Sequence, residues 1–203
     1  MSDVITEDGV LFEMEAPPPV SLADKFVIPP LTTLNRRGGD WQSRKRKWLS
    51  YGIQSEVGRG EDLTLRSTNP DFIRMFAERG GGTSVFDPVL AELAYRWFSN
   101  PGDEVLDPFA GGTVRGVVAS VLQRSYLGID LRPEQVAANL EQYAALENEH
   151  RVIREGTDPA WLEGDSRELR ELVPSTWAYD LVFTCPPYHD LEKYSDDPRD
   201  LSN

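Results

Sequence analysis

Cysteine is nearly absent from this 203-residue chain: Cys185 stands alone, so no intrachain disulfide can form and nothing points to an oxidising compartment or a thiolate-ligated metal. Histidine is equally scarce, and His150 and His189 lie too far apart to suggest a metal constellation. Long apolar runs are missing too. The stretch Val117 to Leu122 falls far short of the roughly 20 residues that span a bilayer. Asp3, Glu7 and Asp8 occupy the N-terminal region where a signal peptide would carry cations, which disfavours secretion and leaves the cytoplasm as the expected compartment. Positive charge is short overall, 21 Lys and Arg against 34 Asp and Glu, for a net charge of −13. Such a surface cannot coat a nucleic acid wholesale, so any contact with one must be local. Finally, neither a phosphate-loop lysine motif nor a complete G-x-G-x-x-G occurs, which favours a nucleoside ligand without phosphates over a phosphate-bearing cofactor.

What remains is ample for one folded domain with a decorated terminus: 39% of residues are hydrophobic and 10% aromatic. Residues 1–35 mix acidic residues with Pro17-Pro18-Pro19 and Pro29-Pro30, a composition that resists helix and central strand alike and reads as a disordered arm. Residues 36–83 form a basic and aromatic segment. Its cations, Arg36, Arg37, Arg44, Lys45, Arg46 and Lys47, are opposed only by Asp40 and flanked by Trp41 and Trp48. Arg44 to Lys47 are the candidate nucleic-acid contacts; the competing reading is a solvated helix face, with the two tryptophans packed on the domain.

From residue 84 to 203 the pattern alternates. Asp87-Pro88 suits a helix N-cap and first turn, and Leu90, Leu93, Ala94 and Trp97 follow at helical spacing until Asn100-Pro101-Gly102. Glu104 to Asp107 reads as a strand. A turn at Gly111-Gly112 leads to a helix with Val114, Val117, Val118, Val121 and Leu122 on one face. Ser125 to Asp130 is a second strand, and Pro133 opens a helix with Val136, Leu140 and Tyr143 inward. A weaker strand precedes Asp165, and Tyr179 to Thr184 runs directly into Cys185-Pro186-Pro187-Tyr188. Alternating strands and helices imply right-handed βαβ units and a parallel, doubly wound α/β sheet. Ligands of such sheets sit beyond the carboxyl ends of the strands. Every distinctive residue here falls at such an end. Asp130 comes 23 residues after Asp107, close to the spacing at which nucleotide folds present an acid to ribose hydroxyls. Taken singly, Gly111-Gly112 could be a tight turn, and Asp107 and Asp130 helix caps.

In combination, Asp107 to Gly112, Gly128-Ile129-Asp130, Asp165-Ser166 and Cys185-Pro186-Pro187-Tyr188 resemble the consecutive motifs of S-adenosylmethionine-dependent DNA amino-methyltransferases of the N6-adenine and N4-cytosine type. With the tail Tyr194 to Pro198, the resemblance is strongest to methylases of actinobacterial phages. It implies a Rossmann-like methyltransferase fold in residues 84–203, in a bacterial or phage-infected cytoplasm, with S-adenosylmethionine as cofactor and double-stranded DNA as partner, the target base flipped out. It further implies that Phe86 and Asp87 close over the methionine end, that Asp107, Phe109 and the Gly111-Gly112 backbone hold the methionine side, that Asp130 holds the ribose, and that Asp165, with Ser166, meets the adenine amino edge. Cys185, Pro186, Pro187 and Tyr188 would form the catalytic loop, with the Pro186 carbonyl aimed at the target amine and Tyr188 stacked on the base. Neither a metal nor a covalent intermediate is needed. His189, beside Tyr188, is a weaker substrate candidate.

The sequence departs from the family at Cys185, where the family has Asp, Asn or Ser. A thiol is a poor hydrogen-bond partner, so transition-state help should drop by roughly 1 to 3 kcal/mol. Serine being the closest isostere of cysteine, cytosine N4 is favoured over adenine N6. A nucleophilic Cys185 is disfavoured, because cytosine-C5 enzymes carry Pro-Cys instead. The family's sheet has seven strands, and the 15 residues after Tyr188 cannot supply strands five to seven. The sheet is therefore expected to be incomplete at the C-terminus and finished by further chain or by a partner such as a second copy. The alternatives are a catalytically weak S-adenosylmethionine- or DNA-binding protein, and an amino-methyltransferase acting on RNA or protein.

Overall fold

The computed structural model describes residues 34–54, 86–173, 176, 178–187 and 194–202, together with the backbone of residues 5–6 and 9–10. Tyr188 and His189 lie outside the described residues, as do most of the 1–35 arm and residues 55–85. Within the arm, β1 (Ile5–Thr6) and β2 (Gly9–Val10) pair antiparallel.

The domain is a Rossmann-like α/β fold. β3 (Glu104–Asp107), β4 (Ser125–Asp130), β5 (Ala160–Glu163) and β6 (Leu181–Val182) form a parallel sheet in the order β5-β4-β3-β6. The chain thus builds outward from β3 to β5, then returns to pair β6 with the free side of β3. Strand alternation divides the core between the two faces. Val105 and Tyr126 join the cluster beneath the main helices, whereas Leu106, Leu127 and Ile129 face Leu169, Leu172 and Tyr179.

Helix α1 (Gly39–Ser50) docks on α2 (Pro88–Phe98) through two buried acids. Glu92 is fully buried and accepts from Trp48 Nε1 at 2.9 Å, Arg44 Nε at 2.9 Å and Arg96 Nε at 3.1 Å. A carboxylate taken out of water needs such compensation, and the compensation drags the helix around. The inward face of α2 is consequently Val89, Glu92 and Tyr95. Leu90 and Trp97, on the apolar stripe read from the sequence, are exposed. Leu140 of α4 (Pro133–Glu149) is likewise turned outward, while Val136 and Tyr143 are inward as expected.

Helix α3 (Val114–Val121) is buried on every side. Gln123, at φ 63°, ends it with a left-handed turn. Arg124 then caps both α2 and α3, donating from Nη1 to Leu122 O at 2.5 Å and from Nη2 to Ser99 O at 2.7 Å. The Trp161 ring of β5 lies directly on Gly116, where a Cβ would overlap it. Gly116→Ala should therefore overpack this contact at a cost of about 1–3 kcal/mol. Urea unfolding checks this: a lowered midpoint with an unchanged slope is expected.

The short α5 (Arg151–Arg154) and α6 (Leu169–Leu172), with a 3₁₀ turn at Ser166–Glu168, complete the connections. Among the described residues no helix is long and apolar enough to cross a membrane, and no cluster of His, Cys, Asp and Glu could hold a metal ion.

Candidate functional site

All four strands of the sheet open at their carboxyl ends onto one cleft, which encloses about 1150 Å3 with its mouth included. The loop after β3 contributes Pro108 to Gly112, that after β4 Asp130 to Arg132, that after β5 Asp165 to Arg167, and that after β6 Cys185 and Pro187. Phe86 and Arg115 add a further wall, and the tail adds Tyr194 and Arg199 to Leu201. This is the topological switch point, because β3 is followed by β4 on one side and flanked by the returning β6 on the other.

The turn at Gly111 takes φ +51°, in the left-handed region, and exposes its backbone to the cleft. It is clamped from both sides. Gly111 N donates to Asp130 Oδ2 at 2.9 Å, and Gly111 O accepts from Asn139 Nδ2 at 2.7 Å. Asn139 is held in turn by Gln135 at 2.9 Å, and Gln135 by Arg132 at 3.2 Å. This buried relay from α4 was not foreseen. Its polar positions, Gln135 and Asn139, lie at helical spacing on the face shared with Val136 and Tyr143, which is the signal that could have found it.

Asp130 lines the cleft, and Arg132 N gives its Oδ1 one bond at 3.0 Å, as Gly111 N does for Oδ2. Each oxygen therefore keeps acceptor capacity for a hydroxyl. Burial raises this carboxyl above its ordinary value, against the lowering pull of the Arg132 and Gly111 N–H groups. Asp165 behaves oppositely. Arg167 donates to both of its oxygens, at 3.0 Å from Nε and 2.5 Å from Nη2, and holds the carboxyl at about 2. Ser166 is committed as well, its hydroxyl donating to Pro108 O. Asp165 can meet a ligand only if Arg167, exposed at the rim, yields one of these bonds.

Two other expected cofactor contacts lie outside the cleft lining. Asp107 does not line the cleft: it is fully buried, its Oδ2 accepting from Arg115 Nε at 2.5 Å and Tyr126 OH at 2.7 Å, its Oδ1 from Phe109 N at 3.3 Å. It fixes the strand tip from below. Asp87 is the α2 N-cap, accepting from Val89 N at 3.0 Å, and its other oxygen anchors α1 through Trp41 Nε1 at 3.2 Å. Phe86, Phe109, Gly111 and Gly112 do line the cleft.

The catalytic tetrapeptide divides similarly. Cys185 is half-buried on the cleft with Pro187, whereas Pro186 is exposed and outside its lining. Thr184, just before it, accepts from Phe109 N at 3.1 Å and couples the β6 loop to the β3 loop. Of the basic run, Arg44 and Lys45 turn back onto Glu92 and Asp87, the latter pair at 3.4 Å. Arg46 is exposed, and Lys47 stands half-buried on the last turn of α1.

Arg115 is the residue that sequence reasoning passed over. Besides Asp107, it binds Phe109 O at 2.6 Å and Ala110 O at 2.9 Å through Nη2. Burial works against its charge, but the adjacent Asp107 more than offsets this and raises its affinity for the proton. A lone cation in the apolar run Val114 to Val121 was the available signal.

Comparison with known proteins finds similarity over part of the chain. Residues 83–141 match a family model, N6_N4_Mtase, described as DNA methylase. The chain is similar to the Type II methyltransferase M.SmaI of Serratia marcescens, 39% identical over 75 residues, covering 37% of this chain and 23% of that protein. It is also similar to the Type II methyltransferase M.XycI of Xanthomonas campestris pv. cyanopsidis, 40% identical over 57 residues, 28% of this chain and 19% of the other. Similarity to the DNA adenine methyltransferase YhdJ of Escherichia coli (strain K12) is 46% over 44 residues, 22% of this chain and 15% of that one. The matches thus span less than a quarter of each relative's length.

Proposed function

We propose that this chain serves an amino-methyltransferase that uses S-adenosylmethionine to methylate an exocyclic amine of cytosine or adenine in DNA. The observation that carries this reading is convergence: the ribose-type acid Asp130, the left-handed Gly111 turn and the Cys185-Pro186-Pro187 loop all border one cleft. Aromatic and aliphatic side chains, Phe86, Phe109, Ile129 and Leu131, line it as a purine face requires.

When bound, the cofactor would supply a methyl group made electrophilic by a sulfonium. Asp130 would accept the two ribose hydroxyls, and the rigid β3 loop would hold the amino-acid end. The two prolines stiffen the β6 loop, so that its backbone acceptors stay aimed at the amine. Such preorganisation, with the reactants held in line, supplies most of the acceleration. Tyr188 would stack on the base after its extrusion from the duplex, since an amine within the stack cannot reach the cleft. DNA would approach along the exposed Arg46. In a phage setting the product would protect DNA from restriction.

Radiolabelled methyl transfer to DNA, followed by nucleoside analysis, tests the proposal and identifies N4-methylcytosine or N6-methyladenine. Incorporation into RNA or protein instead, or cofactor binding without transfer, would replace it with a different substrate or a binding role. Cys185→Asp restores a side-chain acceptor at the amine and should raise kcat by about 10-fold. An unchanged or lower kcat in single-turnover assays would remove Cys185 from the amine's surroundings.

Acidification gives an independent check. Asp130 accepts hydroxyls best when ionised, and its carboxyl is raised above 3.8, so cofactor affinity should fall as pH drops through that raised value, above the range where an ordinary aspartate titrates. Asp165, held at about 2, stays ionised meanwhile. Affinity measured by calorimetry between pH of about 7 and about 4 should decline before stability does. A flat profile contradicts the role of Asp130.

A further inference from the structure

We propose that Arg115 binds the carboxylate at the amino-acid end of the cofactor, an assignment that rests on the S-adenosylmethionine reading above. Arg115 is nine-tenths or more buried yet lines the cleft. Its Nε is spent on Asp107, and its Nη2 on the carbonyls of Phe109 and Ala110. Its Nη1 has no hydrogen-bond partner among the described residues. Nη1 is not one of the buried atoms that lack a partner, so it has access to the cleft, and its N–H groups can donate to an acceptor that enters there.

The chemistry of that acceptor follows from the surroundings. The Phe86 ring centroid lies 4.6 Å from the guanidinium carbon. Nη1 carries two N–H donors and a permanent charge, and a carboxylate complements both. None of the three acids lining the cleft bonds to Nη1: Asp130 accepts from Gly111 and Arg132, Asp165 from Arg167, and Asp200 from Ser195 and Ser202. Asp107, beneath, orients the guanidinium, so the strand-tip acid acts on the ligand through Arg115. The adjoining Gly111 and Gly112 leave room for a ligand chain to reach this wall from Asp130.

The experiment pairs a change in the ligand with a change in the protein. Calorimetry would compare S-adenosylmethionine with its decarboxylated analogue, which keeps the adenosine, sulfonium and ammonium, on the wild-type chain and on Arg115→Lys. Loss of the carboxylate should weaken wild-type binding about 10- to 100-fold. Arg115→Lys should weaken S-adenosylmethionine to a similar extent and leave the decarboxylated analogue nearly unaffected. Equal wild-type affinity for both ligands overturns the assignment while the cofactor reading stands, and needs no variant to fold. Equal losses for both ligands in Arg115→Lys reduce Arg115 to a structural role. If the wild type binds neither ligand, the cofactor reading falls and this assignment with it.

Discussion

Asp107→Ala is expected to cost about 3–5 kcal/mol of folding stability, the range for removing one partner of a buried ion pair. The change strips Arg115 of its carboxylate partner and leaves the Tyr126 hydroxyl without that acceptor, both inside the core. Burial already pushes the Tyr126 phenol well above its usual range, with Asp107 adding to this, so the hydroxyl stays a neutral donor that needs a partner. The penalty comes from stranding a charge rather than from losing a net attraction. Removing both charges, in Asp107→Leu with Arg115→Met, should therefore recover much of the loss. Urea unfolding of the two single variants and the double variant gives the coupling directly. A loss below about 1 kcal/mol for Asp107→Ala would mean that the strand tip is not held by this pair.

The second large effect is on ligand binding. Asp130→Ala should weaken S-adenosylmethionine by at least about 100-fold, since two charge-assisted hydrogen bonds to the ribose disappear together. It also releases Gly111 N, which Asp130 restrains at 2.9 Å, so the left-handed turn loses one of its clamps. Asp130→Asn separates these contributions: its carbonyl can still accept from Gly111, while the charge is gone, and an intermediate loss is expected. Calorimetry with all three proteins checks the order. Equal affinity across the series would take Asp130 out of the site.

The strand and helix order was legible because it is written in local signals. Asp87-Pro88 capped a helix as its sequence implied, Asn100-Pro101-Gly102 ended it, and Asp107 and Asp130 closed β3 and β4. The gathering of strand tips at one cleft also followed, since parallel connectivity leaves little choice about which ends meet. Failures came where a long-range partner decides the outcome. Asp107 and Asp130 occupy the same kind of position, yet a cation eight residues on claims the first and leaves the second facing the cleft. Composition could not show that Arg44 and Lys45 are drawn to acids on another helix, because Glu92 and Asp87 are more than 40 residues away. The apolar stripe of α2 held in part: Ala94 is buried and Leu93 packs on the core, whereas Leu90 and Trp97 are exposed and the buried Glu92, held by three donors, takes a place on the inner face. The strand read over Tyr179 to Thr184 pairs regularly only at Leu181–Val182, with Phe183 N still donating to Leu106 O at 3.0 Å.

A crystal structure with S-adenosylhomocysteine, the demethylated product, tests the account most directly. The prediction is a ribose on Asp130, an amino-acid carboxylate on Arg115, and a sulfur facing Cys185 and Pro187 across the cleft. A nucleoside bound away from Asp130, or a sulfur turned from the β6 loop, would contradict it.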